Sequence, residues 1–302
     1  MNNVITQTLV YLSLLLIGYG FKKAGIFKVQ DADFLKTVIL NVSMPAVAVN
    51  ALKDLELQTS FLWCFLMGLV TCTALMAAGA AASRKEPAAD RLLYLFSLNS
   101  FNIGNFAIPF LTGLISENGF AALCLFDIAV AIFLYGIDYS VAESRKGTGG
   151  FSLKLLLKKL FGSPITDTYL LMLLLAALHL RLPAPVLKLA EVAGNANAFL
   201  AMLSIGILFE WNLDRENRKT IAKFFALRYG TVLAMAACPP PVLAFPPGIR
   251  LAGCGGLWAP SARAAPLLTQ NAGGDGARAA QINSVSILMG IAMMMGIYLL
   301  MS

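Results

Sequence analysis

The chain has 302 residues, of which 58% are hydrophobic and 13% charged, and its mean hydropathy is +0.74. A soluble domain is closer to half apolar and a quarter charged, so this balance excludes an ordinary soluble fold and indicates an all-α integral membrane protein. The net charge of +7 does not indicate nucleic acid, because the basic residues sit in short stretches between apolar runs, where they act as topology signals.

A spanning helix needs about 17–25 apolar residues, and ten such segments are expected. The first covers about 5–21, followed by Lys22, Lys23 and Lys28. Met1-Asn-Asn carries no basic n-region and no cleavage site closes this run, so it reads as a retained span. The second, about 34–52, has Asn41, Ser43 and Pro45 in its middle. The third, about 60–82, is rich in Ala and Gly and suits close helix packing; Arg84, Lys85 and Arg91 then mark a basic loop. The fourth, about 92–115, carries three asparagines, a glycine and a proline within Leu98-Asn-Ser-Phe-Asn-Ile-Gly-Asn-Phe-Ala-Ile-Pro109. The fifth, about 120–141, contains Asp127 and Asp138, the latter read as interfacial.

A long connection over 143–165 holds Lys146-Gly-Thr-Gly-Gly150 and then lysines alternating with leucines, a spacing that suits a short interfacial helix. The sixth span covers about 168–180, and the seventh about 187–209, with Asn195 and Asn197 in its middle. The eighth, about 221–242, closes in Pro239-Pro-Pro241. The ninth, about 249–269, is interrupted by Pro260 and Pro266, and the tenth covers about 279–301. This gives a first five-helix repeat over 1–145, a central linker over 146–165 and a second five-helix repeat over 166–302.

On the side shared by the loops after spans one, three, five, seven and nine, eighteen Lys and Arg are counted. The opposite side has Lys53, Arg181, Lys188 and Arg250, with Arg263 inside a span. By the positive-inside rule this bias places both termini outside the cytoplasm, in a multi-pass protein of the inner (plasma) membrane. An odd number of spans per half then forces the halves into opposite orientations, the inverted-repeat condition.

Asn102, Gly104, Asn105 and Pro109 form the first break. Pro109 has no N–H and clashes with the preceding turn, which is expected to free carbonyls near 105–106, while the two asparagines offer amide donors and acceptors. A half-helix starting there would aim its positive end at a cavity and favour an anion. Interhelical packing of the amides is the competing reading. Pro260, Ser261, Arg263 and Pro266 form the second break, with Pro260 and Pro266 both qualifying as the interruption. An arginine at membrane depth either binds a substrate carboxylate, snorkels, or pairs with an acid such as Asp127. Asp127 itself is a candidate proton carrier, or an acceptor bridging helices. Asn283, Ser284 and Ser286 begin the last span and are placed to face the second break or to join helices.

The five cysteines lack CxxC spacing and read as packing residues, and the single His179 cannot build a multi-histidine centre. No metal site and no cofactor are expected.

Asn102-Ile-Gly-Asn-Phe-Ala-Ile-Pro109 resembles the asparagine–glycine–proline signature of the auxin efflux carrier family, which includes bacterial organic-acid permeases. Leu40-Asn-Val-Ser-Met-Pro45, Asn195 through Glu210, the Pro260 to Pro266 pair with Gly273-Gly-Asp275, and Gln281 to Ile287 are similar to the family as well. The resemblance implies ten transmembrane helices in two inverted five-helix repeats, with broken helices 4 and 9 crossing at the substrate site. It also implies elevator-type movement against a scaffold of helices 1, 2, 6 and 7, and small organic anions as substrates. Three places depart from the family pattern: Ala107, Arg263 and the Pro239 to Pro241 run.

The expectation is a secondary active transporter, a permease and not an enzyme, that moves a small organic anion coupled to H+ or Na+. A homodimer is one admissible assembly. No G-x-x-x-x-G-K, H-E-x-x-H or G-x-S-x-G pattern is present, which argues against an ATP-driven pump or a membrane enzyme. A membrane sensor or partner-binding subunit is the alternative.

Overall fold

Helix is the only regular structure among the described residues of the computed structural model, which are 2–111, 114–145, 147, 151–209, 217–237 and 247–301. Apolar segments in a bilayer must satisfy each backbone N–H and C=O internally, and helices do so. In chain order the elements are α1 (Asn2–Lys23), α2 (Val29–Leu52), α3 (Thr59–Ala82), α4 (Ala88–Leu98), α5 (Ile108–Leu111), α6 (Glu117–Arg145) and α7 (Leu153–Leu160). There follow α8 (Pro164–Ala177), α9 (Ala184–Leu208), α10 (Arg218–Ala237), α11 (Pro247–Leu257), α12 (Ala264–Asn271) and α13 (Gly276–Met301). Six of them, α1, α2, α3, α6, α9 and α13, are long and apolar enough to cross a membrane, and α8 is a shorter apolar helix.

Two helices, α1 and α8, stop where the sequence supplies a left-handed residue. At Gly25, with φ of 76°, the Ile26 N–H donates back to Phe21 O at 2.9 Å and the Gly25 N–H to Lys22 O at 3.1 Å. The same pair of bonds closes α8 around His179, with φ of 53°, an exposed residue of a type that tolerates this conformation.

Three wide π turns interrupt the segments: Ile39–Ser43 in α2, Ile103–Ala107 before α5, and Phe133–Asp138 in α6. The second explains how Pro109 is accommodated. Its ring would clash with the carbonyl one α-turn back, and it donates no N–H. Widening the preceding turn shifts that carbonyl, so that the Ala107 N–H reaches Asn102 O at 3.1 Å and the Ile108 N–H reaches Ile103 O. The unwound backbone therefore falls at 99–102 and not at 105–106, and Pro109 lies buried in α5.

The helices pack as two groups, each drawing on both parts of the chain. In one, α1 and α2 pack against α9, and α2 against α8. The seam is tight enough that a Cβ on Gly206 would overlap the Leu15 carbonyl and one on Gly18 the Leu203 carbonyl, so the α1 and α9 backbones touch directly. Ser43 Oγ donates to Asn197 Oδ1 at 2.9 Å, joining the π turn of α2 to the interruption of α9 at Ala196. The other group is built from α3, α4, α6 and α10 to α13, with α3 and α11 both packed on α6 and α12 on α4 and α13. Tyr11 of α1 meets Phe110 of α5 across the boundary, with ring centroids 5.7 Å apart.

Two sequence expectations change here. Asp138, read as interfacial, is closed to solvent within the protein: it is 1% exposed, and the Asn99 amide donates to its Oδ1 at 2.9 Å. Arg228, one of the eighteen basic residues assigned to the loop side, is 0% exposed inside α10, which leaves seventeen for the charge argument. The Pro239 to Pro241 run and Glu210 lie outside the described residues.

Candidate substrate site

Two segments lose helical form within the second group. The first runs over 99–102, between α4 and the π turn, and the second over 258–263, between α11 and α12. They are bonded to each other. The Asn102 N–H donates to Pro260 O at 2.7 Å, the Ala262 N–H to Ser100 Oγ at 3.2 Å, and Ser261 Oγ to Ser97 O at 3.2 Å. Each stretch thus supplies partners for main-chain groups that the other's unwinding has released, which is the condition for irregular backbone at membrane depth.

Helix α13 completes the junction. The Ser261 N–H donates to Ser286 Oγ at 3.1 Å, Ser286 Oγ donates to Asn283 O at 2.7 Å, and the Asn283 amide donates to Ser261 O at 2.6 Å. Gly290 of the same helix lets Pro260 sit against it, since a Cβ there would lie 2.9 Å from the proline ring.

From the opposite side α10 contributes Arg228. Its Nη1 donates to Ser97 O at 3.0 Å and Leu98 O at 2.7 Å, its Nη2 donates to Ala259 O at 3.0 Å, and the guanidinium stacks 4.3 Å from the centroid of Phe101. These carbonyls end α4 and α11, where helix termini carry unpaired acceptors and partial negative charge. One fixed cation neutralises both ends. Sequence reading missed this residue, although Arg228 lies well inside the span expected over 221–242 and the rule that flagged Arg263 applies to it equally.

The open side of the junction is a cavity of about 380 Å³ lined by Asn102, Arg263, Pro266, Gln281, Asn283 and Ser284. Val29 and Leu208 also line it, so it lies where α2 begins and α9 ends. Arg263 is half-buried, and it makes no hydrogen bond or ion pair among the described residues; the acid within electrostatic reach is the exposed Asp33, not Asp127. A planar, always-charged fork facing a polar cavity can take a carboxylate in bidentate fashion.

The structure therefore brings Asn102, Arg263 and Pro266 to one cavity and places the other expected site residues elsewhere. Gly104 and Asn105 are half-buried in the π turn, with the Asp127 carboxyl accepting the Gly104 N–H. Pro260 and Ser261 are buried in the junction itself, within the unwound stretch. Pro266 lies in the first turn of α12, where its missing N–H removes no helical bond. Among the described residues no group of three His, Cys, Asp or Glu could hold a metal ion.

The family model for a membrane transport protein, Mem_trans, matches residues 3–253, most of the chain. The chain belongs to this family, that of the auxin efflux carriers. This Mem_trans protein is accordingly a multi-pass membrane transport protein with a small-molecule substrate, in a family of transporters and not of enzymes. The matched stretch contains the first unwound segment and Arg228 but ends before the second unwound segment, Arg263 and α13. No match is found among the curated proteins.

Proposed function

We propose that the protein is a secondary active carrier of a small organic anion, and that the anion's carboxylate binds Arg263 beside Asn102. The observation that carries this reading is an arginine without a bonded partner among the described residues, half-buried in a cavity that both unwound segments border. A guanidinium removed from water costs free energy unless a partner compensates it, and a transported carboxylate is that partner. The cavity volume of about 380 Å³ accommodates a small organic acid.

The architecture proposed is ten spans in two inverted five-helix repeats, in which α4 with α5 and α11 with α12 are the broken, crossing helices. The partition of the helices into two groups supports an elevator-type cycle: α1, α2, α8 and α9 serve as scaffold and the other group carries the substrate. The cavity lies beside Lys28 and Arg278, on the side richer in basic residues, so the positive-inside rule makes it open to the cytoplasm, with both termini outside. Transport is driven by an H+ or Na+ gradient or by the membrane potential, which supplies about 2.3 kcal/mol per charge per 100 mV.

The reading is tested by uptake of radiolabelled malate, succinate and other small organic acids into proteoliposomes, under a pH gradient, a sodium gradient and a potential. Accumulation of an acid above the protein-free control supports it. Failure of the whole acid panel to move, with folded protein verified, replaces it with the sensor or partner-binding alternative.

A further inference from the structure

The buried group that the substrate cavity leaves unused is Asp138, in the π turn of α6. Its Oδ1 accepts the Asn99 amide at 2.9 Å, while its Oδ2 has no hydrogen-bond partner among the described residues. Asn99 shows the complementary deficit: its amide nitrogen is bonded, and its Oδ1 is buried without a partner. Both side chains are essentially closed to solvent, at 1% and 0% exposure. Two orphan acceptors thus sit on the free ends of two planar groups already joined through their other ends. One proton on Oδ2 satisfies both, because a carboxylic acid and a carboxamide close a reciprocal two-bond ring.

Among the described residues no donor is bonded to either orphan oxygen, and the unpaired donors on the surrounding elements are Ser97 Oγ and Arg228 Nε. Around Asn99 the end of α4 gathers carbonyl oxygens, and Asn99's own carbonyl takes the Cys72 thiol of α3 at 3.3 Å. That thiol is the titratable group facing Asp138 from α3. Arg228 of α10, in electrostatic reach of the same thiol, directs its Nη donors to the helix-end carbonyls. On α4 the charged residues, Asp90 and Arg91, stand near the opposite end of the helix. Of the α7 lysines, Lys154 and Lys158 are exposed and the Lys159 side chain lies outside the described ones, and α12 has no titratable side chain.

We propose that Asp138 is the proton-coupling residue of the carrier, holding its proton on Oδ2 as a donor to Asn99 Oδ1 and releasing it once per transport cycle. The inference rests on the transport reading above and assigns its coupling ion. On release the O–H bond breaks, the proton passes to water, and the electron pair stays on the carboxylate. Asn99 then loses its donor, and the ring reduces to a single amide bond. Asn99 begins the unwound stretch that ends at Asn102, so the state of the pair is transmitted through three residues to the wall of the substrate cavity. The π turn that aims Asp138 is a local irregularity of the kind often found at functional sites.

The decisive variant is Asp138→Asn, since a second carboxamide reproduces the ring of the protonated form and the fold with it. In proteoliposomes, radiolabelled malate or succinate is followed in two modes. Counterflow exchange, which moves no net proton, is retained by the variant. A one-unit pH gradient, worth about tenfold accumulation for one coupled proton, drives the wild type and has no effect on the variant. Asp127→Asn keeps its response to the gradient. Infrared spectra supply a readout that needs no substrate: the wild type shows a protonated-carboxyl C=O band, shifted in D2O, that Asp138→Asn removes. The proposal is overturned if Asp138→Asn still responds to the pH gradient, if the response is lost in Asp127→Asn instead, if only a sodium gradient drives the wild type, or if the infrared band persists in the variant. Absence of all transport by the wild type would defeat the transport reading and not the protonation of Asp138, which the infrared band decides separately.

Discussion

Arg228 and Arg263 stand on opposite sides of one junction and show what an arginine at membrane depth can be for. Arg228 is fully buried, and both of its Nη atoms donate to carbonyls at the ends of α4 and α11. Arg263 is half-buried and bonded to nothing among the described residues, on the wall of a polar cavity. The first is part of the structure and the second is available to a ligand. The difference lies in what each guanidinium reaches, since both follow from the same residue type in an apolar segment.

Substitutions break this comparison on one side at a time. The largest effect is expected from Arg228→Met, which leaves the Leu98 and Ala259 carbonyls buried without donors and takes one donor from Ser97 O. Each orphaned group costs about 1–3 kcal/mol, so a loss on the order of 3 kcal/mol or more is expected, read as a lower melting temperature in detergent and reduced yield. Wild-type melting would show that the two helix ends do not depend on the cation. Arg263→Gln should do the reverse. It removes a charge-assisted contact worth about 1.5–3 kcal/mol, so anion affinity falls by roughly ten- to a hundredfold while the melting temperature stays put. Binding of the transported acid by calorimetry measures this, and undiminished affinity would place Arg263 outside the site.

Smaller effects sharpen the boundary between the two sides. Ser286→Ala takes the acceptor from the Ser261 N–H, which is buried, and should destabilise by about 1–2 kcal/mol. If melting does not move, the bond from α13 contributes nothing to the junction. Asn102→Ala keeps the main-chain bond to Pro260, which belongs to the backbone, so expression and melting should remain near wild type. Its amide is lost from the cavity, and transport rate should fall several-fold, on the order of the 1 kcal/mol of one neutral hydrogen bond. Unimpaired uptake by that variant would count against the cavity as the transport site.

The two unwound stretches were not equally legible. The first announced itself through Asn102, Gly104, Asn105 and Pro109 inside an apolar run, yet the residue that breaks helices most strongly is not where the helix breaks. A π turn absorbs Pro109, and the backbone opens earlier, at 99–102, because Pro260, Ser261 and Ala262 are there to bond it. The second was legible as an interruption but offered two prolines. Pro266 falls in a first helical turn that has no use for its N–H, so the unwound segment is the one containing Pro260. Asp138 looked interfacial from its distance to a loop and is buried, because α6 runs on to Arg145 and the long connection folds back, packing Leu156 against Gly136.

Hydropathy and charge are one-dimensional properties of a chain in a bilayer, so the sequence alone could reveal the membrane class, the apolar segments and the two places where polar residues interrupt them. The tertiary structure decided which polar groups are partners, because that depends on neighbours brought together from segments more than a hundred residues apart. Ser97 meets Arg228 and Ser261, and Asn102 meets Pro260, only once the two unwound segments are joined. The same bonds divide the arginines into one that closes the junction and one left facing the cavity.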